Sequence, residues 1–338
     1  LATWQPGQTR NVADDMMKLT LYIVAKTLFD ADVSGQSDRV AEALEVLLHS
    51  VIEQSQIIIR LPDWIPTPAR ARKKWSIEAL HRFTMDIIRE RRASGEDKGD
   101  LLSMFLLARD EDGGSMSDVQ VRDEALTIFL AGHETTANAL TWTLYLLSQH
   151  PDVEARLHEE VDRVLAGRQP GLADVPQLAY TEQVLKESMR LYPPAWSFAR
   201  QPLENVELGG YTIPARSTVI ISSYVIHHDA RFFPDPDRFD PERFAPHNEE
   251  QIHKYAYLPF GGGPRICIGN NFAMMEAKLI LASIAQRYRL RLAPGHRVEP
   301  EPLVTMRPKY GMKMILEARP ALSSATAPAF DSQASPVV

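Results

Sequence analysis

Cys267 is the only cysteine of the chain and lies in the stretch F-G-G-G-P-R-I-C-I-G at residues 260–269. The glycines at 261–263, with Pro264 behind them, forbid regular structure but allow positive φ and a close backbone approach to a large flat partner. An apolar-periodic run from Ile268 onward reads as a long helix, which puts the sulfur at or just before a helix N-terminus. Unpaired N–H groups and the positive end of the helix dipole there, with Arg265 two residues away, favour the thiolate, a soft anionic ligand. A lone free cysteine is equally at home as a buried structural residue, and the residue type alone leaves that reading open.

A second constellation is A-G-H-E-T-T at 131–136, a polar patch between the apolar runs L-T-I-F-L and A-L-T-W-T-L. Ala131 and Gly132 remove side-chain bulk, and Thr135 can bond back to the carbonyl four residues earlier and loosen the helix locally, leaving space for a flat ligand. A satisfied polar cluster facing a neighbouring helix is the alternative. The zinc-protease motif H-E-x-x-H does not apply, because Ala137 stands where the second histidine must be. A third candidate is K-E-S-M-R, which sets Glu187 and Arg190 on one helical face. By itself such a pair is usually a solvated surface couple worth little. The adjacent His227 and His228 point in different directions and make a poor metal pair.

Mostly helical elements must position these residues. Helical periodicity begins near Asp14 and Asp15, returns over 37–60, and resumes in a basic helix over 69–92 after the proline-broken L-P-D-W-I-P-T-P. A short helix is expected over 101–108. Ser117 and Gln120 suit a capping box, and the segment 118–149, without proline and apolar on most faces, reads as a central buried helix ended by Pro151. Helices over 151–166 and 180–191 follow. P-A-W-S-F-A-R, V-E-L-G-G-Y-T-I-P and S-T-V-I-I-S-S-Y-V-I read as short strands, 232–244 as an irregular meander, and 301–316 as a terminal hairpin. Residues 321–338, small, Ser-rich and Pro-rich, read as a disordered tail after a single domain over 1–320.

The whole chain of 338 residues is 44% hydrophobic and 24% charged, ordinary for a globular protein with a large core. A net charge of −7 argues against nucleic acid as a partner, since phosphate binding needs a basic surface. One cysteine excludes an internal disulfide framework and suits a reducing compartment, so the expected location is cytoplasmic. No apolar run is long enough for a transmembrane helix.

The loop around Cys267 resembles the haem-binding loop of the cytochrome P450 family, and matches its fixed positions at Phe260, Gly263, Arg265, Cys267 and Gly269. The resemblance extends to A-G-H-E-T-T, to K-E-S-M-R and to F-D-P-E-R-F, in the family's order. It implies a mainly α fold with small β-sheets, lacking the family's N-terminal part, and haem b (iron protoporphyrin IX) as cofactor. Cys267 would be the iron ligand. Phe260, Gly261, Gly263, Gly269, Ala131 and Gly132 would adjoin the cofactor, and Arg265 and Arg200 would hold its propionates. Glu134 and Thr135 fall on the acid and alcohol that deliver protons during dioxygen activation, while Glu187, Arg190 and Arg243 fall on a buried charge trio. In the family the two helices joined by L-P-D-W-I-P-T-P form a lid, where Trp64 and Ile65 would line the entrance or tuck onto the surface. The implied activity is hydroxylation of an organic, hydrophobic substrate with electrons from a separate ferredoxin, flavodoxin or reductase. A peroxide-using or isomerising relative would not need Glu134 and Thr135; a non-catalytic haem protein would fail to turn over substrate when reduced.

Overall fold

The computed structural model describes residues 3–30, 67–320 and, between them, residues 40, 42, 43, 46, 47, 50 and 65. Most of the helix expected over 37–60, Trp64 and the tail expected over 321–338 lie outside the described residues.

The chain organises around one long helix. Helix α4 (Asp118–Gln149) opens on the expected capping box: the Ser117 hydroxyl accepts from Gln120 N–H at 3.3 Å, and the Gln120 side chain accepts from Ser117 N–H at 2.8 Å. Its second half is buried on every side from Thr136 to Leu144, as an apolar sequence without a polar stripe requires. Helix α1 (Val12–Phe29) packs along its first half, together with α2 (Pro68–Ser94) and α3 (Leu101–Leu107). Arg91 ties the end of α2 to the start of α3 through buried bonds to Asp100 at 2.6 and 2.7 Å. The buried half of α4 meets α5 (Pro151–Leu165), α6 (Ala179–Leu191) and α8 (Asn270–Ala285), with α7 (Ser223–His227) set between the last two in sequence. Glu160 of α5 closes the open N-terminus of α6 by accepting from Tyr180 N–H, Thr181 N–H and the Thr181 hydroxyl at 2.7, 2.8 and 2.7 Å.

The β structure is sparse. Strand β1 (Thr9–Asn11) pairs with β9 (Lys313–Ala318), which pairs on its other edge with β6 (Tyr288–Leu292), all antiparallel. Three two-stranded ribbons complete it: β2 (Phe198–Arg200) with β5 (Val219–Ile221), β3 (Val206–Leu208) with β4 (Tyr211–Ile213), and β7 (Pro300–Pro302) with β8 (Met306–Pro308). Two expectations need correction. The strand expected through Ile226 stops at Ile221, because the Ser222 side chain accepts from Val225 N–H and caps α7 there. The expected terminal hairpin ends at β8, and β9 leaves it for β6 and β1, where Met314 and Leu316 become fully buried. No helix of the described residues is long and apolar enough to cross a membrane.

Candidate functional site

Gly261 and Gly263 both take φ +72°, a left-handed conformation open to glycine, while Gly262 between them is extended. This alternation turns the chain back on itself, so that Cys267 N–H reaches Phe260 O at 3.0 Å and Ile266 N–H reaches Gly263 O at 3.0 Å. The loop's base is anchored by His227, whose Nε2 accepts from Leu258 N–H at 2.8 Å. Burial pushes the His227 pKa down to about 3, with the Arg190 charge adding to it, so the ring is neutral and can serve as an acceptor. Its neighbour His228 turns away and bonds to Tyr224 O at 2.8 Å. Helix α8 begins at Asn270, two residues later than the periodicity implied, with Gly269 as its N-cap.

Residues 263–268 form a continuous exposed run. Within it the Cys267 sulfur is exposed, flanked by Ile266 and Ile268 at 53% and 93% exposure. An apolar collar around an exposed soft ligand is unusual on a protein surface and fits the face of a flat apolar macrocycle. Phe260, Gly261 and Gly269 form the half-buried shoulders of the loop. Arg265 is exposed, and Arg200 lies over its own strand's Phe198 ring at 5.0 Å, bonded only to Ala199 O at 2.9 Å. Among the described residues neither guanidinium is paired with a carboxylate, so both can serve the propionates of a haem. One thiolate candidate and two guanidinium groups without a carboxylate partner among the described residues are the side-chain types that a haem needs.

Helix α4 distributes A-G-H-E-T-T by its own 100° step per residue. Ala131 is exposed and Thr135, one turn on, is half-buried, so these two share the open face. The Thr135 hydroxyl donates to Ala131 O at 2.7 Å, yet the helix runs on without interruption from Asp118 to Gln149. Gly132 does not contribute room for a cofactor as expected. A Cβ there would meet Val24 Cγ2 at 3.1 Å, so the glycine lets α1 approach. His133 is buried beside Phe129, with its Nδ1 at 3.0 Å from Phe129 O. Glu134 is buried and accepts from the Thr305 hydroxyl at 2.7 Å, while Asn138, one turn further along, donates to the same hydroxyl at 3.1 Å.

Thr136 faces α8. Its hydroxyl donates to Gly132 O at 3.2 Å and stands beside Glu276, whose two carboxyl oxygens are buried without a well-formed hydrogen bond. Burial raises the Glu276 pKa to about 8 against the weak opposing influence of Thr136. The folded state therefore keeps this proton up to about pH 8, whereas the unfolded chain gives it up near the ordinary 4.5. Because the unfolded state binds fewer protons in that window, stability falls as pH rises from about 4.5 to about 8 and is level beyond. Glu276→Gln removes this slope: little change in melting temperature is expected at pH 5, and a gain on the order of several kcal/mol at pH 8. Thermal unfolding of both proteins at the two pH values checks it; an identical slope in the variant contradicts it.

Away from the open face, Glu187 and Arg190 are completely buried, with Nε and Nη2 of Arg190 donating at 2.7 and 2.8 Å. The rest of the guanidinium donates to the carbonyls of His227, Pro236 and Arg238 at 2.8, 2.7 and 3.1 Å, so every N–H is spent. Burial pushes Glu187 toward its neutral form, but Arg190, the Asp240 N–H at 2.9 Å and Arg243 Nε at 3.4 Å all oppose it. A carboxylate receiving that set stays ionised. Glu187 thus lies between Arg190 and Arg243. Ile65 is half-buried, and its carbonyl accepts from Arg70 at 2.6 Å at the start of α2.

Four residues of this arrangement escaped sequence reasoning. Glu276 carried a signal: it is an acid in the apolar run N-F-A-M-M-E-A-K-L-I-L, four residues from Phe272 and from Ile280. His227 was weighed only as half of a metal pair. Asn138 and Thr305 are uninformative polar residues until the fold brings them together.

Known proteins resemble this chain in sequence and fold. The family model described as cytochrome P450 matches residues 2–315. Cyclooctatin synthase of Streptomyces melanosporofaciens is 42% identical over 90% of this chain and 67% of its own length. Cyclooctat-9-en-7-ol 5-monooxygenase of the same organism is 39% identical over 87% of this chain and 65% of its own. Pentalenene oxygenase of Streptomyces avermitilis is 36% identical over 94% and 71%. The chain thus spans about two thirds of the length of these relatives. Among solved structures, the crystal structure of cytochrome P450DA heme domain superposes with a TM-score of 0.86 at 32% identity, covering 94% of this chain and 70% of that one.

Proposed function

Because the chain belongs to the cytochrome P450 family, we propose that its protein is a haem-thiolate monooxygenase that hydroxylates a hydrophobic organic substrate. The observation that carries this reading is the exposed Cys267 sulfur in its apolar collar. The names of its relatives cyclooctat-9-en-7-ol 5-monooxygenase and pentalenene oxygenase support a terpene-like substrate. Haem supplies the activation of dioxygen, with the cysteine thiolate donating electron density that favours O–O cleavage. Cys267 would be the ligand, Phe260, Gly261, Gly263 and Gly269 would form the loop that lets the cofactor approach, and Arg265 and Arg200 would hold its carboxylates. Ala131, small and exposed, would leave room on the open face of α4 for substrate and dioxygen. Electrons would come from a separate ferredoxin, flavodoxin or reductase.

Thr135 and Glu134 handle protons. With the Thr135 hydroxyl proton given to Ala131 O, the oxygen's lone pairs face away from that bond and can accept from a reacting group or a water on the open face. Glu134 would relay the protons that such a chain consumes, taking each one up on its carboxylate and passing it on. Full-length protein given a surrogate redox partner and labelled dioxygen is expected to place one labelled atom in a terpene-type substrate; a product without label overturns the monooxygenase reading. Thr135→Ala is expected to keep haem and to lower the ratio of product to donor oxidised by on the order of tenfold, with hydrogen peroxide making up the difference. An unchanged ratio would make Thr135 a packing residue.

A further inference from the structure

We infer that Thr305 is a positioning residue for this reaction, orienting the Glu134 carboxylate through a one-way hydrogen-bond chain that runs from Asn138 through Thr305 to Glu134. The inference rests on the reading of Glu134 as a proton relay. Three buried side chains make the chain, with 1% of Asn138, 7% of Thr305 and 6% of Glu134 exposed. Its direction follows from chemistry. The Asn138 amide nitrogen can only donate, and it does so to Thr305 Oγ1 at 3.1 Å. A hydroxyl has one proton, which is left for Glu134 Oε1 at 2.7 Å, and a carboxylate can accept it. Away from bulk water such a bond favours one rotamer of its partner, because it is electrostatically stronger there than in water.

Thr305 is itself held. It sits in the turn between β7 and β8, and that turn is fastened on both sides. Trp196 Nε1 donates to Leu303 O at 2.9 Å, Trp142 Nε1 donates to Met306 O at 3.1 Å, and Met306 N–H donates to Pro194 O at 2.9 Å. Two indoles and a backbone bond thereby fix the height of the hydroxyl against α4. The turn lies 171 residues from Glu134, and its hydroxyl serves both Asn138 and Glu134 on one helix. An apolar residue of similar shape would pack there but would withdraw this bond from Glu134 Oε1.

The test uses the full-length, haem-loaded protein with Thr305→Val, Thr305→Ser, Glu134→Gln and the double variant Thr305→Val with Glu134→Gln. Two readouts are taken: the ratio of product formed to donor oxidised, and the infrared carboxyl bands, with Glu134 assigned as the band that Glu134→Gln abolishes. Thr305→Val is expected to shift the Glu134 band and to lower the ratio by on the order of tenfold, the change that one lost bond to a charged group produces. Thr305→Ser, which keeps the hydroxyl, is expected to restore both. In the Glu134→Gln background, Thr305→Val is expected to add nothing. If Glu134→Gln lowers the ratio and Thr305→Val moves neither readout, the positioning role is wrong and the proton role of Glu134 stands. If Glu134→Gln leaves the ratio unchanged, the proton role itself fails, and the positioning role falls with it. An equal further loss on adding Thr305→Val to Glu134→Gln means that Thr305 acts through packing, which also overturns the inference.

Discussion

Arg190→Ala is expected to yield protein that is largely unfolded and poor in haem. The substitution strands Glu187 as a fully buried charge whose remaining partners are the Asp240 N–H and the more distant Arg243. Removing one partner of such a pair costs about 3–5 kcal/mol. It also strands the carbonyls of His227, Pro236 and Arg238, which the same guanidinium serves. Each buried group left without its bond adds about 1–3 kcal/mol. Against a total stability of roughly 5–15 kcal/mol, the sum is decisive. The half-exposed pair of Arg92 and Asp118, at a comparable 2.7 Å, is by contrast worth about 0–1 kcal/mol. Because Arg190 grips His227 O while His227 grips the base of the cysteine loop, the damage reaches the cofactor site directly. Arg190→Lys, with three donors for five positions, is expected to fall between. The checks are melting temperature and the ratio of haem to protein; a wild-type value of both in Arg190→Ala would contradict this account.

The elements that local chemistry dictates were legible in the chain. Helix α4 announced itself by its capping box, its absence of proline and its unbroken apolarity, and the structure gives it the expected bounds. The cysteine loop was legible because alternating left-handed glycines leave few conformations open. Glu187 and Arg190 were visible as a helical pair, but their complete burial depends on residues 227–243 folding over them, which no local pattern states. Where long-range pairing decides, reading along the chain misassigned the result. The run from Ser217 to Ile226 has strand composition throughout, yet two serines become a helix cap because Ser222 meets Val225 N–H and Ser223 bonds back to Ala195 O. Gly132 looked like space for a ligand, and Val24, more than a hundred residues away, took that space. Asn138 and Thr305 show the same limit within the site, since the bond between them spans 167 residues.

The claim on which everything else depends is that Cys267 is the haem ligand. It is the only cysteine among these 338 residues, so none of them offers another sulfur anion in its place. The most direct measurement is the absorption spectrum of the reduced, carbonyl-bound full-length protein, beside Cys267→Ser. The wild type is expected to show the red-shifted Soret band of a thiolate ligand, because an anionic sulfur donates strongly to the iron. In Cys267→Ser that band is expected to vanish, with the remaining haem absorbing as an ordinary haem without thiolate ligation. A red-shifted band that survives in Cys267→Ser, or a wild-type protein that never shows one, contradicts the assignment.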